Sequence, residues 1–285
     1  MARPRIADLD RRIAEIAQHS ADLPPEATSP IEHYNRASND AWNLLLYVDR
    51  NVRRAKVYPA VAERHFSRLR GMVLLGLVEA FERYVKEAAS VCADHVVPLV
   101  LDNADRLAPF RVQPASLAAH FSAQSLGRAL CEGDTWLDCD DINKRFRRLL
   151  AKPFEKGGFE FFPTNSAADK DRMRTVETLW QLRHTLAHNL GMVTRSDAAK
   201  LRLLTKGPID APKILAPRGP DVWYAKNFLD DATESANSRV ATALSTLLTD
   251  LRFSDPTLFD PQTRADELAR QFRVQVTVAG AVGTP

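Results

Sequence analysis

Between Val61 and Val85, apolar side chains keep close to a three-four rhythm: Val61, Phe66, Leu69, Val73, Leu77, Phe81, Tyr84 and Val85. That rhythm matches the 3.6-residue turn of an α-helix, so a long helix over about 60–92 is the element around which the rest must pack. Gly71 and Gly76 interrupt it at some cost in helix propensity, and they offer places where another helix can approach closely. Glycine is scarce elsewhere too, 11 in 285 residues, beside abundant Ala, Leu and Arg. This balance favours an all-α fold over a turn-rich β fold.

Other helices follow from the same periodicity and from stop signals. Ile6, Leu9, Ile13 and Ile16 predict an amphipathic helix over 4–19, broken by Leu23-Pro24-Pro25. Ser29-Pro30 has the form of an N-cap followed by proline at the first helical position, and a helix should run from there to about Arg54. Tyr58-Pro59 marks the next start, and Pro98 ends or kinks the long helix. Shorter helices are expected over 114–131 and 140–151, and an irregular stretch over 156–165. A confident periodicity returns over 169–190, with Gly191 as its terminator. Residues 205–222 hold Pro208, Pro212, Pro217 and Pro220 and read as a loop. Helices are predicted over about 224–252 and 261–272, and the tail from Val274 reads as a terminal strand or a disordered end. In domain terms, residues 1–56 supply N-terminal helices that pack on a core domain. That domain spans 57–272, with an insertion around 100–168, and 273–285 form a tail.

The net charge is +3, which permits RNA binding without demanding it. Cys92, Cys131 and Cys139 form no Cys-x-x-Cys pair; so sparse a set argues against a disulfide framework and suits a reducing cytosol. The basic start of the chain is followed by Asp8 and Asp10 rather than an apolar stretch, so no signal peptide is expected. The longest apolar run, Met72 to Val78, is too short to span a bilayer. A cytoplasmic setting with no membrane partner is the expectation.

The segment with most chemistry is Leu182-Arg183-His184-Thr185-Leu186-Ala187-His188-Asn189-Leu190-Gly191. His184 and His188 share a helix face at i and i+4. Arg183 and His188 lie about 140° apart around the helix, though a long arginine stem can bring its head toward the same cleft. Three readings compete. One is a zinc site, but Thr185 stands where a zinc protease carries Glu, and no third ligand cluster is evident. Another is a structural histidine, favoured as a cation at the helix C-terminus. The third is acid–base cleavage of a phosphodiester. There a histidine moves protons and an arginine fork steadies charge on the phosphoryl oxygens, with no metal or other cofactor required.

The Arg183-to-His188 segment resembles the Arg-x4–6-His signature of the HEPN superfamily, with His184 in the polar position after the arginine. Upstream, Leu75-Gly76-Leu77-Val78-Glu79-Ala80-Phe81-Glu82-Arg83-Tyr84 is similar to the helix of prokaryotic HEPN proteins that packs against the catalytic helix, the RiboL-PSP group among them. The two quoted segments are ten residues each, in two separate helical stretches. The resemblance implies a HEPN-type helical bundle with extra flanking helices, working as a homodimer in which the arginine and histidine of both copies face one cleft. It implies a metal-independent ribonuclease leaving a cyclic phosphate, acting as a toxin or defence effector, with an antitoxin or defence-system protein as partner. Arg183 would stabilise phosphoryl charge and His188 would be the general acid or base. His184 would orient substrate; Asn189 would do the same or simply end the helix, and Glu82, with Glu79, would hold Arg183 or form a solvated or structural ion pair. Some HEPN domains are instead non-catalytic dimerisation or binding modules.

Two further features bear on RNA. Lys144, Arg145, Arg147, Arg148 and Lys152 crowd one short helix; they can contact an RNA backbone or form a solvated face. Phe159, Phe161 and Phe162 can stack on bases or plug a loop into the core.

Overall fold

The computed structural model describes residues 29–54, 59–97, 108–110, 125–133, 135–151, 158–251 and 260–278. Within them are eight helices: α1 (Pro30–Arg54), α2 (Pro59–Val96), α3 (Leu126–Cys131), α4 (Cys139–Leu149), α5 (Ala167–His188), α6 (Arg195–Thr205), α7 (Gly219–Leu251) and α8 (Pro261–Phe272). The only sheet among the described residues is a two-stranded antiparallel ribbon of β1 (Met192–Val193) and β2 (Lys213–Ile214), with Met192 opposite Ile214. The fold is all-α, as the periodicity predicts.

The long helix α2 is the axis of the molecule. It packs against α1, α3, α4, α5 and α7. Leu77, Val85, Ala88, Ala89, Cys92, Ala93 and Val96 are all fully buried along it. A helix so enclosed is apolar around most of its circumference, which blurs the amphipathic stripe but marks a central position. One continuous core joins Tyr34 of α1, Phe81 and Tyr84 of α2, Phe146 of α4, Trp180 of α5, Leu244 of α7 and Phe272 of α8. The N-terminal helix and the helices of the 100–168 region therefore share the core of the rest. The three cysteines are free thiols buried in it, and burial pushes Cys92 and Cys139 up.

Helix starts follow local chemistry. Ser166 accepts from the Asp169 amide while the Asp169 carboxylate accepts from the Ser166 amide, a full capping box at α5. Asp138 caps α4, and Asp260 caps α8 with Pro261 in the first turn. The Gly127 backbone of α3 lies so close to the Ser90 carbonyl of α2 that a Cβ there would collide with it. Gly71 is snug rather than closed, with a Cβ position 3.2 Å from Leu186 Cδ2 of α5.

Some boundaries differ from the sequence expectation. α7 begins at Gly219, not near 224, because Pro220 is tolerated in a first turn and the Arg218 amide donates to Asp221 (2.8 Å). The turn after α5 is left-handed at both Leu190 (φ 51°) and Gly191 (φ 83°), so the chain reverses one residue earlier than the glycine alone suggests. α6 and the ribbon occupy residues for which the sequence reading assigned no helix or strand. The helix expected over 4–19, most of that over 114–131, and the end of the tail lie outside the described residues. The described part of the tail, to Val278, forms no strand.

The end of α2 is tied to α8 through a buried histidine. His95 is 4% exposed, and its Nε2 meets Gln271 Oε1 at 2.7 Å. Burial lowers its pKa, and Arg264 opposes protonation too, against the hydrogen bond to Gln271 and the nearby Glu267 and Asp94 carboxylates. A histidine lowered in the folded state binds fewer protons than it does unfolded. Stability is thus full above the unfolded value near 6.5 and falls as pH drops below it, by at most about 1.4 kcal/mol per pH unit. Melting curves at pH 8 and pH 5.5 are expected to show a drop in Tm that is smaller in His95→Gln.

Candidate functional site

The candidate residues sit on the last two turns of α5, where it passes α2. Thr185 is fully buried and its hydroxyl donates to the Gln181 carbonyl (3.1 Å). Thr185 is turned inward, while His184 and His188 are exposed. Their rings lie 4.8 Å apart between centroids, the i, i+4 neighbours that the sequence predicts.

Arg183 goes the other way. Its guanidinium lies against α2, with Nη2 3.6 Å from Glu79 Oε1 and 3.9 Å from Glu82 Oε2. Both separations exceed hydrogen-bond length. Its Nε is buried with no hydrogen-bond partner among the described residues. The side chain is 21% exposed, so it is held between two carboxylates with donors unspent. Glu79 and Glu82 thus stand beside Arg183. Among the described residues no hydrogen bond joins Arg183 to His188.

Asn189 has a structural position. It is the C-cap of α5, its amide donates to the Thr185 carbonyl (3.2 Å), and its Nδ2 donates to Asp197 (2.8 Å). Asp197, 3% exposed, also accepts from Gln181 Nε2 (2.9 Å) and from the amide and hydroxyl of Thr194 (3.0 and 2.8 Å). Burial raises its pKa, but the Thr194 bonds, the Asn189 bond and the neighbouring His184 outweigh it and hold the carboxyl below the usual range. This one carboxylate locks α6 and the turn after His188 onto α5. The signal for it was present as the Thr194-x-x-Asp197 capping box, which the sequence reading missed. Removing it leaves several buried donors unpaired, so Asp197→Ala is expected to cost about 3 kcal/mol in urea unfolding. Faster amide exchange in α6 would localise that loss.

The basic helix is only partly a surface. Arg145 is turned inward: it is 8% exposed, donates to the Thr135 carbonyl (2.7 Å) and lies 4.6 Å from the centre of the Trp136 ring. Its guanidinium is committed to the core, which departs from the expected RNA-facing role. Arg147 is half exposed and bonded to Glu160 (2.6 Å), while Lys144 and Arg148 are exposed. The phenylalanines also resolve to packing. Phe161 and Phe162 are buried, and Phe161 lies 4.7 Å from Phe146 and 4.9 Å from Phe162 between ring centres.

Among the described residues no group of three or more His, Cys, Asp or Glu has the arrangement of a metal site. Among the described residues no helix is long and apolar enough to cross a membrane. The chain has no significant match among protein-family models, curated proteins or solved structures.

Proposed function

We propose that this chain is a metal-independent endoribonuclease of HEPN type, acting as a homodimer in the cytoplasm, with Arg183 and His188 as its catalytic pair. The supporting observation is the state of Arg183: a guanidinium held between Glu79 and Glu82 beyond hydrogen-bond length, its Nε without a partner among the described residues. A phosphoryl oxygen would satisfy those donors. In the reaction the 2′-OH loses its proton to a histidine as the O2′–P bond forms. The P–O5′ bond breaks, and a proton is delivered to the departing O5′. The products are a 2′,3′-cyclic phosphate and a free 5′-hydroxyl. Arg183 lies against Glu79 and Glu82 with no hydrogen bond to His188, and a second copy would complete the cleft, each supplying the group the other lacks. His184 would orient substrate, with Arg147 and Arg148 as outlying backbone contacts. A toxin or defence role, with an antitoxin-like partner, accords with this chemistry.

A second reading is a non-catalytic binding module. It is favoured by the apolar surface just past His188, where Leu190 is 89% exposed, Met192 50% and Ile214 77%, the last two paired across the ribbon. The deciding experiment is cleavage of a mixed RNA pool by purified protein, with and without EDTA. EDTA-resistant cutting that yields cyclic-phosphate ends and is lost in both Arg183→Ala and His188→Ala is expected. Cutting that survives both substitutions would sink the assignment.

A further inference from the structure

The short ribbon has an open edge. α5 and α6 pack on β1, while β2 lies against β1 and both of its residues are exposed. The Leu215 amide donates to the Gly191 carbonyl (2.8 Å), so Met192 and Ile214 face each other as a pair without hydrogen bonds between them. In such a pair the backbone N–H and C=O of each residue point away from the opposite strand. The N–H and C=O of Ile214 therefore face outward, on the edge away from β1. The side chains of Met192 and Ile214 stand on one face of the ribbon and are 50% and 77% exposed. Leu190, 89% exposed, adjoins them in the turn. Outward backbone groups beside exposed apolar side chains make a template for a further strand.

The charges around this edge narrow the choice of occupant. Residues 190–217 carry five exposed cations, Arg195, Lys200, Arg202, Lys206 and Lys213, against two carboxylates, Asp197 and Asp210. That excess equals the net charge of the whole chain, +3. Asp197 is buried. Asp210 accepts from Lys213 (2.9 Å), and the Lys213 bond and charge, with Arg202 beyond, hold its carboxyl below the usual range. A second copy would bring the same positive segment against this one, which disfavours self-pairing. A nucleic acid would meet the cations but leave the apolar side chains idle, because residues 190–217 hold no aromatic ring for a base to stack on. A membrane surface would find none of the Trp or Tyr that anchor at an interface. An acidic protein segment uses both the charge and the apolar face.

We propose that this edge docks an acidic, extended segment of a partner protein, which adds to β2 as a third strand. The segment exchanges a pair of backbone hydrogen bonds with Ile214. Side chains alternate along a strand, so the residue opposite Ile214 is apolar and extends the face of Met192 and Ile214, while its neighbours fall on the side of Lys213 and are acidic. A lysine on an open edge repels basic strands and so restricts what can pair there. Met192 follows His188 by four residues, so the docking edge adjoins the end of α5 that carries the histidines. Docking itself does not depend on whether the chain cuts RNA.

Fluorescence anisotropy tests it on the full chain, with a labelled synthetic peptide of alternating Val and Glu as the probe. Saturable binding that weakens as salt rises is expected. The same peptide with Lys in place of Glu should bind roughly 10-fold more weakly. N-methylation of the Val amides, the ones that would bond Ile214, should cost about 10-fold, and methylation of the Glu amides less. Ile214→Asp should weaken binding about 10- to 100-fold, the range of one lost apolar side-chain contact. Lys213→Gln should weaken it about 2- to 5-fold. A matched thermal melt checks that the variants fold, and the methylated peptides need no variant. No saturation at millimolar peptide, equal binding of the Lys peptide, indifference to Val methylation, or unchanged affinity in Ile214→Asp overturns the proposal. An RNA oligonucleotide or phosphatidylserine vesicles bound through Ile214 in place of the peptide, or a dimer in sedimentation that Ile214→Asp splits, assigns the face to another occupant and also overturns it. RNA cleavage with no peptide binding removes this site and leaves the catalytic reading standing; binding with no cleavage does the reverse.

Discussion

His188→Ala is expected to lower RNA cleavage by about 10²–10⁴-fold, the usual contribution of a positioned acid or base. Tm should change little, because His188 is exposed and makes no hydrogen bond among the described residues. Arg183→Ala is expected to cost about 10²–10³-fold, as does loss of a donor to developing charge. Arg183→Lys separates charge from geometry. Lysine keeps the cation but not the planar fork, so activity should recover only in part. Glu82 is 19% exposed and faces Arg183, so Glu82→Gln should reduce activity less than either catalytic substitution while leaving the histidines untouched. Single-turnover cleavage with matched thermal melts would measure all four. A His188→Ala protein that is both inactive and unfolded would indicate a structural histidine instead.

Phe161→Ala is expected to destabilise the fold by about 3–5 kcal/mol, the cost of removing a large aromatic from a packed core. Phe161 is 1% exposed and stacks among Phe146, Phe162 and Tyr84, with ring centres 4.7, 4.9 and 6.4 Å away. Its carbonyl accepts from Arg239 (2.7 Å), and the next residue is gripped at both backbone groups by Asn143. The segment is therefore a plug that seats α4 against α2 and α7. Urea unfolding should show the loss, and RNA affinity at temperatures where the variant is folded should not change. A base-stacking role would give the opposite pattern.

The sequence determined most of the helices, because periodicity and caps are local. Ser29-Pro30 marks the start of α1, and the helices predicted over 169–190 and 261–272 fall on α5 and α8. It also determined that Arg183 and the two histidines share one helix, and that His184 and His188 share one face, since spacing along a helix sets angle around it. The direction of each long side chain was decided by the neighbours that tertiary packing brings. Arg183 turns to α2 because Glu79 and Glu82, a hundred residues earlier, lie there. Arg145 belongs to a basic run in sequence, yet folds inward because Trp136 and the Thr135 carbonyl offer it a ring and an acceptor. Trp42 and Trp223, far apart in the chain, become walls of one cavity only when α1 and α7 meet beside α2. Local chemistry sets which residues share an element, while burial and pairing across elements set what each side chain is free to bind.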